Sequence, residues 1–212
     1  NINRLTKLCG EILGADYALF NKFEEGRLRS CGQWNTPPDF VATDEAEGHI
    51  CYDVIQGEHD EVVVIRDLQD TDYAKTDPIV LKFGLHTYVG KAIKISGEYI
   101  GTLCAVYQLD FNPTDEDKEI MSFIALAIGV EEERRAVEET NQIAQFAIEH
   151  STDSIFWIGP DGRVLRVNEM ACSSLGYSRD ELLHMHAGDI NPDYTRGTWL
   201  SHWQELKEKN SL

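Results

Sequence analysis

The most informative segment of this sequence is Gly97-Glu98-Tyr99-Ile100-Gly101-Thr102-Leu103-Cys104-Ala105-Val106-Tyr107-Gln108. Its part from Tyr99 to Gln108 is long and mostly apolar, which is typical of a strand that lies centrally in a sheet. The turn formers Ser96-Gly97-Glu98 separate it from another predicted strand, Thr87 to Ile95. The segment therefore predicts a hairpin near the centre of a mostly antiparallel sheet.

The segments around this hairpin predict further strands and helices. Alternating residues predict a second hairpin that turns at Glu25-Gly26, and the β-branched run Val62-Val63-Val64-Ile65 predicts another strand. Apolar residues at intervals of three and four predict a first helix that ends at Gly14. The predicted hairpin strands are 17–23 and 28–34, the predicted helices are 2–13, 48–55 and one that begins at Pro78, and the predicted loops are 35–47 and 67–77.

A long helix is predicted from Thr114. The segment Thr114-Asp115-Glu116-Asp117 combines a capping residue with acidic residues at the positive end of the helix dipole. Apolar residues recur along this helix at seven-residue intervals, at Phe123, Val130, Val137 and Ala144. The companion heptad positions are polar, so the sequence is consistent both with a solvated connector and with a dimerising helix.

The pattern of short elements restarts after this helix. A hairpin turn is predicted at Pro160-Asp161-Gly162-Arg163, Asn168 is placed to cap a helix, and Ser178 with Glu181 forms a second capping pattern. The predicted elements are the strands 155–158 and 164–167 and a final helix over about 194–209. Two strands are too little sheet for independent stability.

The composition is that of a globular protein. The 212 residues are 42% hydrophobic and 26% charged, which is enough chain for one or two domains. The 37 acidic residues outnumber the 19 basic ones, and the formal charge of −18 predicts that nucleic acids and anionic membrane surfaces are not partners. No apolar run approaches the ~20 residues of a membrane span. The first residues hold neither a signal peptide nor an initiator Met, so we expect an excerpt of a longer protein.

The cysteines predict a reducing, cytoplasmic setting. Five of them are scattered without a CxxC pair, and the odd number argues against a disulfide framework. Neither they nor the seven histidines fall at structural zinc spacing, so no metal site is predicted.

The first 135 residues resemble a GAF domain. The carrying segments occur in family order: Gly48-His49-Ile50-Cys51-Tyr52-Asp53-Val54-Ile55, Val64-Ile65-Arg66-Asp67-Leu68, Gly84-Leu85-His86-Thr87-Tyr88-Val89-Gly90, Gly97 to Cys104, and Phe111 to Asp117. The resemblance implies an α+β fold, in which an antiparallel sheet of about six strands is flanked by helices and a ligand cavity lies between sheet and loops. We assign 1–135 to this domain and 136–150 to a connecting helix.

From about Gln145 the chain resembles the first half of a PAS domain. The resemblance is carried by Ile158-Gly159-Pro160-Asp161-Gly162, Val167 to Ala171, Leu175 to Leu183, and Asp189-Ile190-Asn191-Pro192. It implies a partial PAS fold over 151–212 that lacks the three C-terminal strands of the family, and no pocket is assigned to it.

The GAF resemblance implies a set of cavity residues. The segments that commonly line such a cavity supply Trp34, Cys51, Tyr52, Asp67, Tyr73, His86, Tyr88 and Cys104. Aromatic walls with a few polar groups are the usual form of a small-ligand site. Each of these side chains can equally be a core residue. No catalytic residue is predicted, and His49 is interpreted as a surface histidine.

Motifs bear on the cofactor. Bilin-binding GAF domains usually present a Cys followed by His, and this sequence has no such dipeptide. Flavin-binding photoreceptor PAS domains carry Asn-Cys-Arg-Phe on a later helix, whereas Cys172 lies on the first one. The cofactor is left unknown, with haem open because His86 or Cys51 could ligate iron.

The resemblance implies a cytoplasmic sensory input module, as in sensor histidine kinases and related signalling proteins. A small molecule would bind in the GAF cavity, and the helix over 114–150 would relay the change to an output domain in the same chain and form a homodimer. The alternatives are a haem- or thiol-based redox sensor, a ligandless dimerisation scaffold, and an enzyme that reduces free methionine sulfoxide. The sequence shows no resolving partner for the thiols of Cys31, Cys51 and Cys104.

Overall fold

The computed structural model describes residues 1–209, and the chain divides into two compact units, Asn1–Ala136 and Val137–Leu212. Residues 210–212, the end of the predicted PAS range, lie outside the described part. The elements of the first unit, in chain order, are α1 (Ile2–Ile12), β1 (Tyr17–Glu24), β2 (Arg27–Trp34), β3 (Thr43–Glu45), α2 (Ile50–Gln56), β4 (Val63–Ile65), a 3₁₀ turn (Leu68–Asp70), α3 (Tyr73–Thr76), α4 (Pro78–Lys82), β5 (Thr87–Ile95), β6 (Glu98–Tyr107) and the start of α5 (Asp115–Glu149).

The first unit is built on one antiparallel sheet of six strands in the order β3-β2-β1-β6-β5-β4. One face packs on α1 and α5 around a core that includes Phe20, Leu103 and Met121. The other face packs on α2 and α4 around a core that includes Tyr88 and Cys104. The central strands β1 and β6 are therefore buried on both sides, which explains why the sequence of β6 is almost continuously apolar.

A bulge in β2 changes which of its side chains face which layer. The pairing of β2 with β1 shifts register between Phe20 and Asn21, and Cys31 is the residue left without a partner. An extra residue in one strand reverses the alternation of side chains beyond it. Ser30 therefore faces the α2 layer, whereas Trp34 packs into the core on the α1 side.

A buried ion pair joins the sheet to α5. Lys22 Nζ lies 2.9 Å from Glu132 Oε2, and the Glu132 side chain is only 7% exposed. Arg135 lies 3.2 Å from the other Glu132 oxygen. A buried carboxylate is costly unless it is paired, so Lys22 ties α5 to β1, and Arg135 on α5 itself neutralises the same carboxylate.

The predicted start of α5 is confirmed. The backbone N–H of Asp117 donates to Thr114 Oγ1 at 3.2 Å, and the N–H of Thr114 donates to Asp117 Oδ2 at 2.8 Å. This reciprocal cap satisfies two donors that the helix itself leaves free. The helix then runs without interruption to Glu149, past the unit boundary after Ala136.

The second unit is organised around Asn168. Its side-chain oxygen accepts hydrogen bonds from the N–H groups of Ile155 and Ala171, and its Nδ2 donates to the carbonyls of Ile148 and Asp153. The predicted caps at Asn168 and at Ser178 are confirmed. The elements of this unit are β7 (Phe156–Ile158) and β8 (Val164–Val167), which form a hairpin, followed by α6 (Glu169–Leu175), α7 (Arg179–Leu183), α8 (Ala187–Ile190) and α9 (Arg196–Lys209).

The predicted α+β fold with a six-stranded antiparallel sheet and a long helix is confirmed. Two predicted loops contain structure. The segment 35–47 holds the edge strand β3, and 67–77 holds the 3₁₀ turn and α3. These pieces are three or four residues long, too short to show a period in the sequence. Within residues 1–209, none of the helices combines the length and apolar character needed to cross a membrane.

Candidate functional site

A cavity of about 150 Å³ lies on the α2 side of the sheet. Most of its wall is apolar, formed by Leu19, Leu28, Phe40, Val41, Ile50, Ile79, Phe83, Leu85 and Val106. A dry apolar cavity of this volume accommodates a molecule the size of benzene, of about six to ten non-hydrogen atoms. The cavity is thus much smaller than the several hundred Å³ of a typical drug-sized site.

One wall of the cavity is fixed by Asp77, a carboxylate that is 2% exposed. It accepts hydrogen bonds from the backbone N–H of Ile50 at 3.1 Å and of Ile79 at 3.2 Å, so it ties α2 to α4. His49 Nδ1 lies 3.2 Å from the same carboxylate, and its Nε2 lies 3.6 Å from Asp44 beside β3. Asp77 therefore joins α2 to α4 beside the cavity, and His49 extends this contact to β3.

The floor of the cavity is a polar cluster around Cys51. Its Sγ accepts a hydrogen bond from Asn21 Nδ2 at 3.2 Å and lies 3.6 Å from the Tyr88 hydroxyl. The Cys104 sulfur lies 3.8 Å from the same sulfur, within hydrogen-bonding distance for two thiols. Asn21 in turn accepts a hydrogen bond from Ser30. Cys51 from α2, Tyr88 from β5 and Cys104 from β6 therefore meet at one point of the sheet.

The cluster favours the ionised form of one thiol over that of the other. The Cys104 thiol lowers the pKa of Cys51 by donating a hydrogen bond to its sulfur, and smaller contributions of the same sign outweigh burial. The pKa of Cys104 is raised, because its proton is held by Cys51 and because it is buried. Burial likewise raises the pKa of Tyr88, which stays a neutral hydroxyl.

Thr102 adds an unsatisfied group beside this cluster. It lies opposite Asn21 on β1 and Ala92 on β5, and it is fully buried. Its Oγ1 makes no hydrogen bond of good geometry among the described residues, although it lies near enough to Cys51 and Tyr88 to make a lowering contribution to the pKa of each. Buried hydroxyl groups in native proteins are normally paired, so this oxygen marks a point where a partner is needed.

Three of the eight predicted cavity residues line the cavity: Cys51, Tyr88 and Cys104. Trp34 does not, and that prediction is wrong because of the bulge in β2. Its ring packs so closely over Gly10 of α1 that a Cβ on that glycine would lie 2.1 Å from the ring. Trp34 therefore fills the core on the helix side of the sheet.

Tyr52 and Tyr73 pack at the edge of the α2 layer and are not lining residues, which corrects both predictions. The Tyr52 ring, on α2, lies 5.2 Å from that of Phe23 on β1. The Tyr73 hydroxyl donates to Asp53 at 2.9 Å, and burial together with this carboxylate raises the pKa of Tyr73 to about 12. Both side chains support α2 from outside the cavity.

Asp67 and His86, also predicted for the cavity, lie together at another place, which corrects these predictions as well. They form a cluster with Asp110 whose possible ligand atoms lie within 4.8 Å of one another. Arg66 pairs with Asp110 through two hydrogen bonds and holds the pKa of that carboxyl below its usual range. The positive charge that neutralises Asp110 in this cluster is therefore that of Arg66.

The sequence-based selection missed six polar residues of the cavity: Asn21, Ser30, Asp44, His49, Asp77 and Lys82. His49 is 12% exposed and is not the surface histidine that we predicted. The pattern Asp77-Pro78 contained a usable signal, because an Asp before an N1 proline is a helix cap and its carboxylate must lie near backbone donors. Asn21 gives no such signal, because it lies within an alternating strand.

Comparisons with known proteins locate the first unit in a family. The GAF domain profile matches residues 2–131. The methyl sulfide methyltransferase-associated sensor of Methanosarcina acetivorans is 25% identical over 156 residues, which is 71% of this chain and 16% of the sensor. The chain thus spans less than a fifth of the curated relative it matches.

Solved structures share the fold at low sequence identity. A domain of a two-component sensor histidine kinase protein from Sinorhizobium meliloti 1021 has a TM-score of 0.53 and 16% identity, covering 66% of this chain and 93% of that domain. The type II free methionine-R-sulfoxide reductase of Thermoplasma acidophilum has a TM-score of 0.50 and 16% identity, covering 60% of this chain and 86% of the reductase. These likenesses establish the fold alone.

We expect the His49 contacts to make stability depend on pH. Burial lowers the pKa of His49, but Asp77, with Cys51 and Asp44, raises it above the ordinary 6.5. The charged imidazole therefore stabilises the fold fully below pH 6.5, and this contribution is lost as the pH rises through the folded-state pKa.

Urea unfolding of the wild type and of His49→Gln, measured over a series of pH values, tests this. The difference in unfolding free energy should be largest below pH 6.5 and shrink above it. His59→Gln, at an exposed residue, is the control for removing an imidazole outside this contact. A His49→Gln difference that stays constant or grows with pH would contradict the assignment.

Proposed function

The chain belongs to the GAF domain family through residues 2–131, and from this we propose that it is a sensory input module of a signalling protein. The observation that carries the proposal is the cavity of about 150 Å³ on the α2 side of the sheet, with a polar cluster at its floor. An enclosed, mainly apolar site with a few convergent polar groups is the usual form of a small-ligand site. Similarity to the Methanosarcina sensor supports the sensory class.

The proposed ligand is small and largely apolar, with one hydrogen-bonding group. The apolar wall would hold its body, and the cluster of Asn21, Cys51 and Tyr88 would receive its polar end. The open space argues against a ligandless scaffold whose own side chains fill the cavity. Haem is disfavoured, because a porphyrin is far larger than a site of about 150 Å³ and His86 lies outside it.

The methionine sulfoxide reductase alternative has less support. Recognition of a free amino acid needs fixed charges for its ammonium and its carboxylate. The candidate groups at the cavity are already paired: Asp77 with His49, and Lys82 with Asp39, 2.9 Å away. We propose that this module binds a signal and does not turn over a substrate.

The proposed relay passes through β1. Successive residues of a strand face opposite sides of a sheet. Asn21 contacts Cys51 in the cavity, and the next residue, Lys22, pairs with Glu132 on α5. A ligand that draws Asn21 away from Cys51 would move the same stretch of backbone that holds α5. Such coupling needs a preference of about 1–3 kcal/mol for one arrangement of the helix.

We propose that α5 carries this change towards the residues after Ala136 and onward to an output domain of the same protein, in the manner of a histidine kinase. The second unit is proposed to be the N-terminal part of a PAS domain. Its support is the order of elements, a β7-β8 hairpin followed by the short helices α6 to α8, together with the motifs quoted above.

The outward face of α5 supports a homodimer. Phe123 is 69% exposed, Leu126 is 66% exposed and Val130 is 60% exposed. Contiguous exposed apolar side chains of this kind commonly mark an interaction surface. Two copies of the helix placed side by side would bury the seam that starts at Phe123 and continues through Val130 to Val137.

The cavity proposal is tested with phenol as the probe. We expect phenol to raise the melting temperature of the reduced protein, by an amount equivalent to about 2.7 kcal/mol at a hundredfold excess over Kd. Leu28→Trp fills the cavity from β2 and should abolish the shift, measured by calorimetry. Leu81→Trp, at a residue that is 62% exposed, is the matched control and should keep it. No shift in the wild type, or equal shifts in all three proteins, would refute ligand binding in this cavity.

The dimer proposal is tested by analytical ultracentrifugation. The double variant Phe123→Glu/Val130→Glu places charges in the seam and should shift the protein to monomer at concentrations where the wild type is dimeric. Leu109→Glu, at a residue that is 78% exposed in a loop, should leave the dimer intact. A monomeric wild type, or a double variant that remains dimeric, would exclude this interface.

A further inference from the structure

The structure brings together two thiols that lie 53 residues apart in the sequence. Cys51 comes from α2 and Cys104 from β6, and their sulfur atoms are 3.8 Å apart at the floor of the cavity. We propose that Cys51 and Cys104 form a redox-active dithiol that a hydroperoxide converts to a disulfide inside the cavity. This site goes beyond the ligand binding proposed above, and its formation does not depend on it.

The geometry allows a bond with a small movement. A disulfide has an S–S length of about 2.05 Å, so the two sulfurs must approach by roughly 1.8 Å. Cys51 stands on the seven-residue helix α2, whereas Cys104 lies on a central strand paired on both sides. The movement therefore falls mainly on Cys51 and α2.

The two thiols are unequal, as a reacting pair requires. Hydrogen bonds from Cys104, and from Asn21 at 3.2 Å, favour the thiolate of Cys51, so this sulfur is the nucleophile. Cys104 retains its proton and is placed to act second. Both residues line the cavity, which is large enough to admit hydrogen peroxide.

The chemistry balances without a further reagent. The Cys51 thiolate attacks the terminal oxygen of a hydroperoxide ROOH, so that an S–O bond forms, the O–O bond breaks, and RO⁻ takes a proton and leaves as an alcohol or water. Cys104 sulfur then attacks the Cys51 sulfenic acid, forming the S–S bond while the hydroxide leaves with the Cys104 proton as water. Two thiols lose two electrons and two hydrogens, and the peroxide gains them.

The disulfide would remove the acceptor of Asn21. In the reduced protein Cys51 Sγ accepts a hydrogen bond from Asn21 Nδ2. Once it is part of a disulfide, the same sulfur is a poorer acceptor and lies farther from Asn21. Oxidation would thus act on Asn21, the residue of β1 that directly precedes Lys22, whose ammonium pairs with Glu132 on α5.

The other cysteines provide internal controls. Cys9 is fully buried, contacts Met121 on the far side of the sheet, and has its pKa raised to about 12 by burial. Cys31 and Cys172 are half-buried and are available to reagents without a neighbouring thiol in the described part of the chain. An unspecific oxidation would therefore strike Cys31 and Cys172 at least as readily as the cavity pair.

The experiment treats the reduced chain of 212 residues with hydrogen peroxide in near-stoichiometric amount. Remaining thiols are then alkylated after denaturation, and the digest is analysed by mass spectrometry. We expect a peptide pair linked through Cys51 and Cys104, reversed by dithiothreitol, in the wild type and equally in Cys31→Ser/Cys172→Ser. In Cys104→Ser, dimedone should trap a sulfenic acid at Cys51, and Cys51→Ser should slow peroxide consumption at least roughly tenfold.

If a variant fails to fold, the peptides linked or alkylated in the wild type are sufficient to test the proposal. Oxidation confined to Cys31 and Cys172, with Cys51 and Cys104 still alkylated, would overturn the proposal, and so would complete resistance to peroxide. Phenol binding is measured on the reduced protein and is independent. A protein that binds phenol but forms no Cys51–Cys104 disulfide refutes the dithiol alone, and one that forms the disulfide but ignores phenol refutes the ligand proposal alone.

Discussion

The structure depends on a sheet whose two central strands are buried on both faces. In β1 and β6 the side chains of the middle residues are buried, towards α1 and α5 on one side or towards α2 and α4 on the other. Protein interiors are close-packed and transmit displacement instead of absorbing it in empty space. We propose that a change at the cavity floor is for this reason passed on to the helix face. The adjacent residues Asn21 and Lys22 link the two faces, because Asn21 contacts Cys51 in the cavity and Lys22 pairs with Glu132 on α5.

Much of the fold could be predicted from local patterns, because most elements are long enough to show their own period or cap. The hairpin of β5 and β6 and the capped start of α5 are of this kind. Trp34 was misplaced because one unpaired residue, Cys31, reverses the alternation of its strand. Nothing in the local sequence announces that bulge, since the pairing that reveals it involves a different strand.

The site was harder to predict than the fold because its members are distant in the chain. Cys51 and Cys104 show no motif, and only the packing of α2 on β6 makes each the neighbour of the other. Asp77 differs from these cysteines, because the sequence indicates its role as the cap of α4. Its second role, holding His49 and α2, follows only from the tertiary structure. Polar residues that serve a cavity are thus found by locating the groups whose hydrogen bonds cross between elements.

A double-mutant cycle between the two faces of β1 measures whether the cavity floor is coupled to α5. Asn21→Ala perturbs the cavity floor and Glu132→Gln perturbs the ion pair with Lys22, and the free energy of unfolding is measured for both variants and for their combination. Sites that do not communicate add to within about 0.3–0.5 kcal/mol. We expect a coupling energy clearly above that range for Asn21→Ala with Glu132→Gln. When Glu133→Gln, at an exposed residue, replaces Glu132→Gln, we expect the effects to add. Additivity of Asn21→Ala with Glu132→Gln would contradict the proposed coupling.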